Sequence, residues 1–183
     1  MNILKGGVFG GIVLFIYMAI SWMVIPWHDA TMNNFKNPKE VSAEVIENAP
    51  KSGVYVWPND KHQDTSTGKK AFIFMSVDYY TGEPMGALNF IFGILIQILS
   101  AILVCVLLAM GSITSYFGIV GFTTLFGITA GIATKLPMWN WMRWPIDFVV
   151  VDILDLAIGW LLAGLVIAYF TSRPATQDQN TGM

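Results

Sequence analysis

Charge is scarce in this sequence. Asp, Glu, Lys and Arg make up 12% of its 183 residues, against 55% hydrophobic. That balance excludes an ordinary soluble domain. A basic excess is missing too, since the formal net charge is −2, so no cationic surface recruits nucleic acid. Cysteine is almost absent. The one thiol, Cys105, cannot form an intramolecular disulfide, and the polar loop has none to staple it. Histidine occurs twice, and no CxxC, HExxH or Ser–His–Asp set is read from the sequence. The early "GGVFGG" is not a phosphate loop, because no Lys-Ser/Thr follows it and no strand precedes it. No repeat of fixed period is found. With no catalytic motif, the expectation is a non-enzymatic chain without a cofactor.

Long apolar runs are what the sequence has instead. The first, 6–26, rises roughly 31 Å as a helix, one hydrocarbon thickness. It is too long for a cleaved signal peptide, and no small-x-small site precedes Trp27. Further spans are expected at 86–110, 117–134 and 145–170. Residues 135–144, "KLPMWNWMRW", read as a tryptophan-rich interfacial loop. A polar tail at 171–183 reads as frayed.

The segment 27–85 carries most of the charge. "NPKEVSAEVIENAP" starts like a helix, with Asn37 as cap, Pro38 at the first position and Glu40 where a capping-box acid belongs. "SGVYVWP" and "KAFIFMSV" read as two short strands, separated by turn chemistry. The predicted fold is therefore an all-α membrane protein, four transmembrane helices with a small α+β cap between helices 1 and 2. Four spans put both termini on one side. Lys5 and Arg173 favour the cytoplasm for that side, leaving an extracytoplasmic cap and tryptophan loop.

The fourth span raises a physical question, because it carries Asp147, Asp152 and Asp155. Asp147 falls in the first helical turn after Pro145, where its charge suits the helix dipole. Asp152 and Asp155 are three apart and share a face with Gly159 and Ala163. Small residues mark close helix approach, so that face is expected to be packed. Counting inward from each span end places Asp155, Gln97, Tyr17 and Thr124 at roughly 13–16 Å depth. One buried polar layer of Asp152, Asp155, Gln97, Tyr17 and Thr124 would then satisfy the carboxylates. The sharper alternative is proton or cation movement through Asp152 and Asp155, since intramembrane acids default to function.

Two other constellations bear on function. His28 and Asp29, with Asp147, Met138 or Met142, offer metal-binding chemistry at the outer interface, but without fixed ligand spacing. The plainer reading anchors His28 at headgroup level beside Trp22 and Trp27. Gly7 with Gly11, and Gly127 with Gly131, form small-xxx-small pairs, and Gly159 adds a third packing point. They suggest a homo-oligomer or a larger membrane complex, with the lipid bilayer as the common partner.

The blocks "SWMVIPWHDATMNNF", 21–35, and "ENAPKSGVYVWP", 47–58, resemble an uncharacterised family of small bacterial four-span inner-membrane proteins. That family shares a Trp-Met-x-x-Pro-Trp-His block followed by Asn-Ala-Pro-x-Ser-Gly-x-Tyr. The resemblance covers about the first third of the chain. It implies a bacterial multi-pass inner-membrane protein and no particular activity. Three functions stay open on the sequence: an accessory or assembly subunit, a small oligomeric proton- or cation-linked transporter, and an outer-face metal-handling protein through His28.

Overall fold

The computed structural model describes residues 2–59 and 62–172. Within them, α1 (Ile3–Met23), α2 (Trp27–Thr31), α3 (Pro38–Asn48), β1 (Gly53–Trp57), β2 (Ile73–Val77), α4 (Ala87–Met110), α5 (Tyr116–Met142) and α6 (Ile146–Thr171) follow in order. Four of these helices, α1, α4, α5 and α6, are long and apolar enough to cross a membrane. The chain is thus mostly helical, with the four spans of a multi-pass membrane protein and one small sheet.

Local chemistry sets the ends. The Asn2 side chain accepts from the Lys5 amide to start α1, and Ser115 does the same from Gly118 for α5. Pro26, which lacks an N–H, separates α1 from α2. At α3 the expected capping box does not form. Asn37 bonds the Glu40 carboxylate side chain to side chain at 2.6 Å, and no side-chain bond reaches the backbone. The strands pair antiparallel, with Tyr55 opposite Met75.

Four helices stand in the order α4–α1–α6–α5, and α4 meets α5 in little beyond the turn that joins them. The glycines of α1 explain its central place. A Cβ on Gly7 or Gly11 would strike Ile102 or Ile98 of α4. On Gly6 or Gly10 it would come within 2.6 Å of Thr171 or Ile167 of α6. Two stripes one residue apart point to different faces, so one short motif seats two neighbours. Gly127 and Gly131 bring α5 against Leu156, Trp160 and Ile153 of α6, while Gly159 receives Leu14, Met18 and Tyr17 of α1. The glycines read as signs of an oligomer are therefore spent on contacts inside one chain.

One boundary differs from expectation in a way that matters. The third span does not stop at 134. It continues through Pro137 to Met142, where Arg143 turns left-handed at φ 55°. The residues read as an interfacial loop, 135–144, are mostly helix. Proline is tolerated within membrane helices, where neighbours and local adjustment compensate for the missing N–H.

The same contacts fix relative heights. Tyr17 lies against Gly159 and Gly6 lies against Thr171, so the end of α1 is level with the middle of the first half of α6. By helical rise, α5 and α6 run roughly 10 Å past the end of α1. That overhang makes a ledge. The short α2 sits on it, packed against α6.

Candidate functional site

The ledge is where the charged residues meet. His28, on α2, is completely buried. Its ring Nε2 lies 3.3 Å from Asp155 Oδ2 and 3.4 Å from Ser21 Oγ. Its Nδ1 lies 4.0 Å from Asp152 Oδ1. Lys135 of α5 then pairs with the other side of Asp152, Nζ to Oδ2 at 2.8 Å. Both aspartates are buried, at 5% and 3% exposure, whereas the Lys135 side chain keeps 31%. Trp22 stacks on the imidazole at 3.8 Å between centroids, and Trp27 meets it edge-on. Trp27 Nε1 donates to Ser21 Oγ at 2.8 Å, and Thr31 donates to the His28 carbonyl at 2.8 Å. Four elements, α1, α2, α5 and α6, thus converge on two carboxylates.

Each group is placed by a local feature. Asp152 and Asp155 share a helix face through their spacing of three. Lys135 reaches Asp152 because α5 continues where a loop was expected. His28 reaches Asp155 because Pro26 ends the first helix and the next turn folds back on the ledge. Both ring nitrogens face a carboxylate oxygen, an arrangement suited to the doubly protonated ring. Two cations against two carboxylates would then leave the cluster neutral, which a buried ionic group requires.

The structure sorts the residues expected to form one polar layer. Tyr17 does lie with the aspartates, its hydroxyl buried beside Asp155 and Ser21 but without a well-formed bond to either. Gln97 and Thr124 do not join them. Gln97 sits level with the middle of α1, roughly 13 Å deeper than Asp155 by helical rise. Its side chain makes no hydrogen bond to the described residues. Thr124 donates to the Val120 carbonyl of its own helix at 2.8 Å. Counting every span from its own end assumed four helices ending level, and the overhang of α5 and α6 breaks that assumption.

His28 also departs from the headgroup-anchor reading. It points inward, with the tryptophans as its walls. Asp29 beside it is exposed and takes no part. Asp147 is exposed in the first turn of α6, bonded to the Phe148 amide. Among the described residues, no three His, Cys, Asp or Glu side chains are arranged to hold a metal ion. Lys135 against Asp152 opposes one further, by occupying the carboxylate with a cation.

Ser21, His28 and Asp152 stand in the order of an acyl-transfer triad, a relation invisible in the sequence. The geometry does not serve that chemistry. A general base must take the serine proton at Nε2, yet here Nε2 faces the Asp155 carboxylate as well. Ser21 is fully buried and its oxygen already accepts from Trp27.

Below the ledge the core is apolar. Leu14, Val104, Leu108, Ile119, Trp160 and Ile167 fill it. Buried Thr123 and Thr171 spend their hydroxyls on carbonyls of their own helices. Ser100 does likewise, and Tyr169 is 77% exposed. No acid, lysine, arginine or histidine is buried there among the described residues.

These features define a four-span membrane protein with a charged cluster at one end of its helices. No family model, no curated protein and no solved structure matches the chain.

Proposed function

We propose that this chain is a non-enzymatic accessory or assembly subunit of the bacterial inner membrane, with cytoplasmic termini and an extracytoplasmic 27–85 segment. The observation that carries this reading is the pairing of both aspartates, Asp155 with His28 and Asp152 with Lys135, above an apolar core. Acids so used fix the segment after α1 to the helices, and among the described residues no further buried acid, lysine, arginine or histidine continues them through the core. The segment itself offers an interaction surface. Its helix α3 has no buried residue, and Phe35, Ile46, Val54 and Tyr80 stand exposed. An apolar hairpin of two strands is marginal alone, so a second copy or a larger complex is the partner it suits. The resemblance of 21–35 and 47–58 to small bacterial four-span proteins supports the location.

Purification in mild detergent from cross-linked native membranes tests this. One stoichiometric membrane partner, or a defined homo-oligomer, is expected. A protein that remains monomeric and alone contradicts it. Orientation is tested by an impermeant thiol reagent on intact cells, using a cysteine at Ser66 in a Cys105→Ser background. Labelling is expected there and not at a cysteine replacing Asn2.

A second reading, a proton- or cation-linked transporter using Asp152 and Asp155, draws on the unpartnered Asp155 Oδ1 and Tyr17 hydroxyl. Proton flux into reconstituted vesicles that vanishes in folded Asp155→Asn would favour it.

A further inference from the structure

Past the ledge, a cleft of about 540 Å³ opens between the end of α5 and the segment joining β1 to β2. Asp64, Lys70, Phe72 and Arg143 are among its walls. Its size lies within the roughly 300–1,000 Å³ of small-molecule sites. The Arg143 guanidinium rests over the Phe72 ring, 5.8 Å from its centroid, and has no carboxylate partner among the described residues. Lys70 Nζ donates to the Asp64 carbonyl at 2.8 Å, which keeps that ammonium at the cleft. Both bonds from Ser66 to the Asp64 carboxylate fall on Oδ1, leaving Oδ2 open. Arg143 and Asp64 thus line one space, yet no ion pair joins them. Opposite charges held apart in this way suit a ligand that carries both signs.

The cleft also stands at a definite height. The 27 residues of α5 rise roughly 40 Å. That exceeds the hydrocarbon core of about 30 Å and nearly matches a bilayer with its headgroups. Trp139 and Trp141 are exposed in the last turn of α5, where an aromatic belt belongs. Arg143, the next residue after the helix, is at the level of lipid phosphates. We propose that the cleft binds a phosphoethanolamine headgroup, its phosphate toward Arg143 and Lys70 and its ammonium toward Asp64. The proposal goes beyond the accessory-subunit reading and rests only on the four spans.

The chemistry selects among headgroups. A guanidinium offers a planar fork of donors that matches phosphate oxygens, and Lys70 adds a point charge. A primary ammonium brings three donors to Asp64. Choline brings none, and Arg143 already covers a face of Phe72, the ring on which a quaternary ammonium would stack. A phosphoglycerol headgroup is anionic throughout, so Asp64 opposes it and gains no partner. Free phosphoethanolamine shares the recognised groups, but the height of the cleft favours the lipid.

The test uses the full chain in nanodiscs of phosphatidylethanolamine, phosphatidylglycerol and phosphatidylcholine in equal parts, released into native mass spectrometry. One phosphatidylethanolamine should stay bound, favoured over each of the others on the order of tenfold, the worth of one charge-assisted bond. Asp64→Asn keeps the Oδ1 acceptor for Ser66 and leaves the Arg143–Phe72 contact alone. It should erase the preference over phosphatidylglycerol. Arg143→Gln should lower retention of both lipids by a similar factor. If Arg143→Gln fails to fold, Lys70→Gln replaces it, and unchanged retention there counts against the site. Calorimetric titration of free phosphoethanolamine into lipid-free protein in detergent separates the sources. Binding there that Asp64→Asn weakens, without lipid retention, supports the same site with a soluble ligand. A preference that survives Asp64→Asn, or neither lipid preference nor binding of phosphoethanolamine, overturns the proposal.

Discussion

At the terminal end of the helices, α1 lies between α4 and α6 on glycines, and the space between them is filled by Leu, Val and Ile. At the loop end, α5 and α6 run on past α1, and a five-residue turn closes the gap through a histidine, a lysine and two aspartates. Close packing needs helices of matched height and small residues. Where the heights differ no helix face is available, and a charged contact can span the step. The difference shows why acids sit in the fourth span: they hold something that apolar packing there cannot reach.

The comparison can be broken at either end. The largest effect is expected from Asp155→Leu, which strands His28 and leaves Ser21 with a mismatched neighbour. Loss of one partner of a buried pair costs about 3–5 kcal/mol. Thermal unfolding in detergent should show it, whereas Asp155→Asn should cost about 1 kcal/mol. Gly11→Val attacks the other end. Its Cβ would meet backbone at Ile98, and overpacking of this kind costs about 1–3 kcal/mol. It should loosen α1 against α4 and leave the α2 turn in place, as cysteine cross-linking between the two regions would report.

Much of this was legible in the chain, for physical reasons. Four apolar runs of bilayer length, glycines at spacings of four, and acids three apart are local patterns, and each maps onto one helix or one helix face. The two strands were also readable from their β-branched and aromatic residues. The cluster was not, because its parts come from residues 21, 28, 135 and 155, and what joins them is the difference in helix height. Lys135 was hidden by Pro137 and the tryptophans, which read as a loop. Charge balance was the signal that could have found the missing partners. Two acids in one span need cations, and His28 and Lys135 are cationic residues close to span ends.

Smaller effects sharpen the comparison. Lys135→Met should cost about 1–2 kcal/mol, reduced from the full value for a buried pair because the lysine is partly exposed. Asp29→Asn, beside His28 but exposed, should stay within about 0.5 kcal/mol of the wild type. The smallest effect lies in the 62–72 turn. Bonds from the Ser66 hydroxyl and amide hold the Asp64 carboxyl below its ordinary range. A lowered folded-state pKa means the bonds support the turn above the unfolded value and are lost as pH falls through the folded one. The Ser66 amide resonance should therefore move on acidification, and not in Asp64→Ala.

The central claim is that charge at the ledge, not packing below it, holds the segment after α1. Hydrogen exchange on Asp155→Leu, compared residue by residue with the wild type, measures this most directly. The account predicts faster exchange in α2 and in α5 around Lys135, with α1 up to Leu14 and the terminal half of α6 unchanged. Equal acceleration along all four long helices, or no change in α2, would contradict it.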